Sequence, residues 1–158
     1  MACHWAVSLS MLMALHWHMH CLDADPLSNV EAMMQWELIV SDEVLAQKLD
    51  SVTACQTVMV DTEFIRRDTF FTQIALLQLC FVGEGSDEKT SWLIDPLTIS
   101  DLAPLKALLT DSRVLKVLHS ASEDLEVFNH WLGVTPAPLF DTQRAAAVLD
   151  RGFGLGYR

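Results

Sequence analysis

The sequence predicts an α/β domain, a mixed β-sheet covered by helices. Three observations lead there. Hydrophobic residues make up 51% of the 158, which suffices to bury a core and excludes a disordered chain. Three apolar runs, at 57–64, 74–82 and 91–94, are joined by short polar links, which favours antiparallel neighbours. Beyond residue 100, strand-length runs alternate with helical patterns, which implies parallel additions to the first three strands.

The elements follow in order. Trp36-Glu37-Leu38-Ile39-Val40 reads as a short strand, and Ser41 can cap a helix whose apolar positions are Val44, Leu45 and Leu49. Residues 57–64 form a buried strand. Residues 74–82 (Ile-Ala-Leu-Leu-Gln-Leu-Cys-Phe-Val) form a second, long enough to cross the centre of a sheet. Gly83-Glu84-Gly85-Ser86-Asp87 is a turn. A third strand, 91–94, stops at Asp95-Pro96. Residues 102–109 are helical and 114–118 a strand. Ser120 then starts a helix, with Glu123 three residues on as a capping box. Leu125, Val127, Phe128, Trp131 and Leu132 supply its apolar positions and Gly133 ends it. Leu139-Phe140 is a brief strand before a helix through Ala145, Ala146, Val148 and Leu149. Gly152-Phe153-Gly154-Leu155-Gly156 has the wrong glycine spacing for a phosphate-binding fingerprint and reads as the loop into another element.

Residues 1–35 differ from the rest. The first 22 are apolar, carry His4, His16, His18 and His20, and contain no Lys or Arg. A secretory signal needs a basic start and an unbroken apolar run, and the segment is too short and too polar at one end for a membrane span. The segment is expected to be a poorly ordered leader or a mis-assigned start, with Met33 or Met34 the natural beginning. No membrane association is expected. Cys3, Cys21, Cys55 and Cys80 show neither CxxC pairing nor zinc-ligand spacing, and scattered reduced thiols suit a cytoplasmic protein. The net charge of -11 argues against a simple basic nucleic-acid clamp and suits a protein that gathers divalent cations.

The chemistry centres on Asp61-Thr62-Glu63, at the end of the apolar run Thr57-Val58-Met59-Val60. Residues i and i+2 of a strand share a side, so Asp61 and Glu63 project two carboxylates together. Adjacent acids repel and resist burial unless a cation neutralises them, and Mg²⁺ or Mn²⁺ prefer oxygen ligands. By itself Asp-x-Glu is a weak signal, because a strand running out into solvent gives the same pattern. Asp124 is a third acid, in the first turns of a helix that follows a strand. The helix dipole favours an anion there, and open α/β sheets form ligand sites at that edge. Whether the edge carrying Asp124 coincides with the one carrying Asp61 and Glu63 depends on topology.

These residues, with others, resemble a known family. Val60-Asp61-Thr62-Glu63-Phe64, then Leu93-Ile94-Asp95-Pro96, then His119-Ser120-Ala121-Ser122-Glu123-Asp124-Leu125-Glu126-Val127-Phe128, then Phe140-Asp141-Thr142-Gln143 look like ribonuclease D of the DEDD superfamily of 3′-to-5′ exonucleases. The resemblance covers residues 36–158 and implies a partial exonuclease domain with a ribonuclease H-like mixed sheet, incomplete at its C-terminus. It implies two-metal hydrolysis of RNA from single-stranded 3′ ends, tRNA precursors among them. Asp61 and Glu63 match the first exonuclease motif and Asp124 the second. By that match Asp61 bridges two Mg²⁺ or Mn²⁺ ions, Glu63 holds the one carrying the attacking water, and Asp124 serves the other. Thr62 would meet the terminal nucleotide through its backbone, Phe64 would stack on a base or pack in the core, and His119 would approach the terminal ribose or phosphate or simply end its strand. Arg66 and Arg67 are either phosphate contacts or a solvated turn. Asp141 is read as a cap for the helix after it, not as a ligand.

The pattern departs from the family at its third motif, a tyrosine and a final aspartate on a later helix. Tyr157 is followed by one residue and cannot supply that pair. These 158 residues alone are therefore expected to bind metal poorly and to show little or no nuclease activity. The competing reading is a non-catalytic nucleic-acid-binding or scaffolding module that keeps the fold.

Overall fold

The structure, a computed structural model, describes residues 35–51, 57–67, 69–82 and 90–150. The expectations for residues 1–34, for the 83–87 turn, for the glycine-rich stretch and for Cys3, Cys21 and Cys55 lie outside the described residues. Among the described residues six strands form one sheet: β1 (Gln35–Ile39), β2 (Thr57–Ile65), β3 (Gln73–Val82), β4 (Thr90–Ile94), β5 (Leu115–Leu118) and β6 (Leu139–Asp141). The helices are α1 (Asp42–Ser51), α2 (Ala103–Thr110), α3 (Ser122–Leu132) and α4 (Thr142–Val148). Among the described residues no helix is long and apolar enough to cross a membrane.

The strand order is β1-β4-β3-β2-β5-β6. As expected from the short links, β2 pairs with β3 and β3 with β4 in antiparallel fashion. As expected from the alternation, β5 lies parallel to β2 and β6 parallel to β5. The first strand, whose place the sequence left open, pairs in parallel with β4 at the far edge. The mixed sheet with three antiparallel strands and parallel additions is thus the observed fold.

Alternation sorts the strands. Val58, Val60 and Thr62 of β2 are buried, as are Leu77, Leu79 and Phe81 of β3 and Trp92 and Ile94 of β4. These apolar residues pack with Leu45 of α1, Leu105 and Leu109 of α2, and Phe128 and Leu132 of α3. Removing that apolar surface from water is the main stabilising term, at about 25 cal/mol per Å². Ser41 caps α1 as expected, its Oγ accepting the Val44 N–H at 3.3 Å. Gly133 ends α3 with φ +69°, a left-handed turn that a Cβ disfavours.

One local expectation fails. Ser120 does not cap α3, and no capping box forms. The helix begins at Ser122 with Ala121 at the cap position and no side-chain cap bond. Ser120 holds φ +58°, and its own N–H is bonded to Asp141. A carboxylate from another strand therefore takes the Ser120 N–H that the local pattern assigned to Glu123.

Candidate functional site

The topology settles which edges coincide. Because β2 and β5 are parallel neighbours, with Thr57 opposite Leu115 and Met59 opposite Val117, both strands present their carboxyl ends on one side of the sheet. Two further residues of β2 bring the chain to Asp61. Past Leu118, β5 turns through residues 119–121 into α3, which carries Asp124 in its first turn. The junction is closed by a buried bond: Thr62 Oγ1 donates to Asp124 Oδ1 at 2.5 Å. Thr62 faces the helix-covered side of β2, so Asp124 stands there, while Asp61 and Glu63 leave the strand on its other side. Between Glu63 and Phe64 the β2–β3 register shifts, with Glu63 opposite Leu76 and Phe64 opposite Ile74. Such a bulge re-aims side chains beside it.

The electrostatics are those of crowded acids. The carboxyl of Asp61 is pushed up to about 7, first by burial and then by the charges of Asp124 and Glu63. Burial also raises Asp124, against hydrogen bonds from the side chain and backbone of Thr62. The Gln78 amide donates to the Asp61 carboxylate, Nε2 to Oδ2 at 3.3 Å. The other end of that amide, Oε1, is buried without a partner. Among the described residues, no three His, Cys, Asp or Glu side chains are close enough together to hold a metal ion. Asp61, Glu63 and Asp124 therefore share one neighbourhood and one field without forming a closed chelate. Their chemistry fits a hard cation even so. All donors are carboxylate oxygens, and the charges of Asp124 and Glu63 raise the proton affinity of Asp61, as neighbours do where a counter-charge is lacking.

The remaining predicted residues fall around this edge. Phe64 is half-buried just past the bulge. His119 follows β5 directly, its Nδ1 2.8 Å from Thr142 Oγ1. The same hydroxyl lies 3.2 Å from the Leu118 carbonyl, so Thr142 ties the His119 ring to the end of β5. Arg66 is exposed and reaches α3, with Nη2 2.6 Å from Glu126 Oε2 and Nη1 3.9 Å from Glu123 Oε1. Arg67 is exposed. Asp141 caps α4 as expected, accepting the N–H groups of Gln143 and Arg144.

Sequence reasoning missed three features. The Thr62–Asp124 bond joins residues 62 positions apart and leaves no local trace. Gln78 could have been found as the lone amide inside the apolar run 74–82. Lys116 could have been found from the alternation Val114, Lys116, Leu118, which puts a lysine on the buried face.

A sequence profile of 3′-5′ exonuclease domains matches residues 37–157. The chain belongs to the 3′-5′ exonuclease family. Ribonuclease D of Pseudomonas paraeruginosa is 48% identical to this exonuclease chain over 124 residues, which is 78% of this chain and 31% of the relative. Ribonuclease D of Escherichia coli is 44% identical over 124 residues, covering 78% and 32%. Its crystal structure, described as that of an exoribonuclease involved in structured RNA processing, superposes with a TM-score of 0.71 at 42% identity, over 78% of this chain and 32% of that one. The Trypanosoma brucei ribonuclease D complex with RNA U12 shares the fold, with a TM-score of 0.61 at 23% identity over 70% and 38%. The chain thus spans about a third of the length of the ribonuclease D relatives it matches.

Proposed function

We propose that residues 36–158 are part of the exonuclease domain of a ribonuclease D-type 3′-5′ exoribonuclease. The observation that carries this is the meeting of Asp61 and Glu63 with the Asp124 helix at one sheet edge, in a chain of the exonuclease family. Asp61, Glu63 and Asp124 would hold the divalent ions, Mg²⁺ or Mn²⁺, on which the family generally depends. Bound there, the ions would offset the negative charge that gathers on phosphorus and make water a competent nucleophile.

The chain's own residues do the rest. Asp61 and Glu63 present oxygen donors at the end of a strand anchored on both sides, by β3 and β5. Thr62 holds the Asp124 carboxylate through its hydroxyl and would meet the terminal nucleotide through its backbone. Phe64 offers a ring to a base, a contact worth about 1–3 kcal/mol that tolerates any sequence. His119, oriented by Thr142, faces the terminal ribose or phosphate. The substrate is RNA at a single-stranded 3′ end, structured RNA such as tRNA precursors included, in the cytoplasm.

Mn²⁺ titration followed by NMR tests the reading. The carboxyl resonances of Asp61, Glu63 and Asp124 should broaden first, ahead of Glu123 and Glu126, and Asp61→Asn should abolish the selectivity. Uniform weak broadening over all surface acids would overturn it. That outcome would favour a non-catalytic nucleic-acid module, a reading supported by the open arrangement of the three acids.

A further inference from the structure

The start of α3 carries Asp124 but has no cap of its own. Ala121 sits at the cap position without a side-chain bond, and Ser120 before it holds φ +58°, which costs any residue with a Cβ. What holds this turn comes from β6. Asp141 accepts the Ser120 N–H on Oδ1 and the Ala121 N–H on Oδ2, both at 3.1 Å. The same carboxylate caps α4, with Oδ1 accepting from Gln143 at 2.9 Å and Arg144 at 3.3 Å. Thr142, the next residue, binds Leu118 and His119 on the near side of the same turn. One side chain gathers four amides from two helix starts, and those bonds to backbone N–H hold its pKa below the usual carboxylate value despite burial.

We propose that Asp141 is a positioning residue for Asp124. It fixes the Ser120–Ala121 turn, and through that turn it sets where the first turn of α3 presents the Asp124 carboxylate to Thr62 and to the end of β2. This rests on the reading of the acidic edge as the metal site and adds the β6–α4 junction to it. The competing role is a cap for α4 alone. The Ala121 amide separates these roles: Oδ1 serves α4 and Ser120, while Oδ2 accepts from Ala121 and otherwise only lies 3.8 Å from the exposed Arg144 Nε. Asp141→Asn keeps the shape and keeps an oxygen at the Oδ1 place. It puts an NH₂ group where Ala121 needs an acceptor.

NMR on the whole chain decides the matter. In the unmodified protein the Ser120 and Ala121 amides should be protected from solvent exchange, as those of Gln143 and Arg144 are. Fast exchange at Ser120 and Ala121 overturns the proposal without any variant. In Asp141→Asn the Ala121 amide should lose protection, and the Thr62 amide and Asp124 carboxyl resonances should shift. Mn²⁺ affinity should fall about 10- to 100-fold, the range for groups that orient metal ligands, while Gln143 and Arg144 stay protected. Adding Ser120→Gly, which adopts φ +58° without strain, should return the Asp124 resonance toward its original place. A cap confined to α4 would give no such rescue. An Asp124 resonance that stays put while Ala121 loses protection overturns the proposal. If the unmodified chain shows no selective Mn²⁺ binding, it is the metal-site reading that falls, and the amide and carboxyl resonances still decide the role of Asp141.

Discussion

Two ionisable groups on neighbouring strands, one fully buried and one half-buried, are satisfied in opposite ways. Lys116 of β5 stands opposite Val58 of β2, three residues before Asp61. It is fully buried, and its Nζ donates to the carbonyls of Asp111 at 2.8 Å, Val114 at 2.7 Å and Ala137 at 2.6 Å. An ammonium has three protons, and all three are placed. Burial lowers its pKa, partly offset by Asp111. Asp61 has a long amide contact, a bond from the Thr62 backbone and two acids for company. Burying a charge is tolerable when its partners are complete. The lysine end of this strand pair is closed and structural. The acid end is left open, as the proposed metal site requires.

The largest expected effect comes from the closed end. Lys116→Met keeps the volume but withdraws the donor from three carbonyls, and should lower the unfolding free energy by about 3 kcal/mol or more. Urea denaturation measures it, and a neutral result would erase the contrast between the two ends. Next is Thr62→Val, which leaves the buried Asp124 carboxylate without its hydroxyl donor and should cost about 2 kcal/mol.

Asp61→Asn should act with the opposite sign in metal-free protein, raising stability by about 1 kcal/mol at pH 8. The linkage gives the direction. The carboxyl titrates near 7 in the fold against 3.8 for the unfolded chain. Between those values the unfolded state has released a proton that the native state keeps, so native stability declines as pH rises through that window. The Asn variant should lose this slope. Mg²⁺ should restore stability to the original chain at pH 8 and do little at pH 4, a pattern visible in thermal melts. An unchanged slope in the variant would show that Asp61 is not the strained group. The smallest effect is Arg66→Ala. Its exposed pairs with Glu123 and Glu126 should be worth less than about 1 kcal/mol, and a larger loss in a melt would mean the β2–β3 connection anchors α3.

The strand and helix pattern was readable because each depends on local periodicity. Val58, Val60 and Thr62 alternate, and Leu125, Phe128 and Leu132 recur at helical spacing. The start of α3 was misread for the same reason that makes local patterns useful elsewhere. Ser120 and Glu123 have capping-box spacing, but Asp141, 21 residues on, outcompetes them for the turn. Lys116 went unnoticed although its alternation with Val114 and Leu118 marked it, because a lysine suggests solvent until its partners are known.

By itself the sequence determined the classes of its segments, the short links that make β2, β3 and β4 antiparallel, and the acids that can meet a cation. Tertiary structure alone decided that β2 and β5 run side by side, that Thr62 holds Asp124, and that Asp141 holds the turn before it. The reason is range. Periodicity and capping act over a few residues, whereas a hydrogen bond between positions 62 and 124 exists only once the sheet has closed the distance between them.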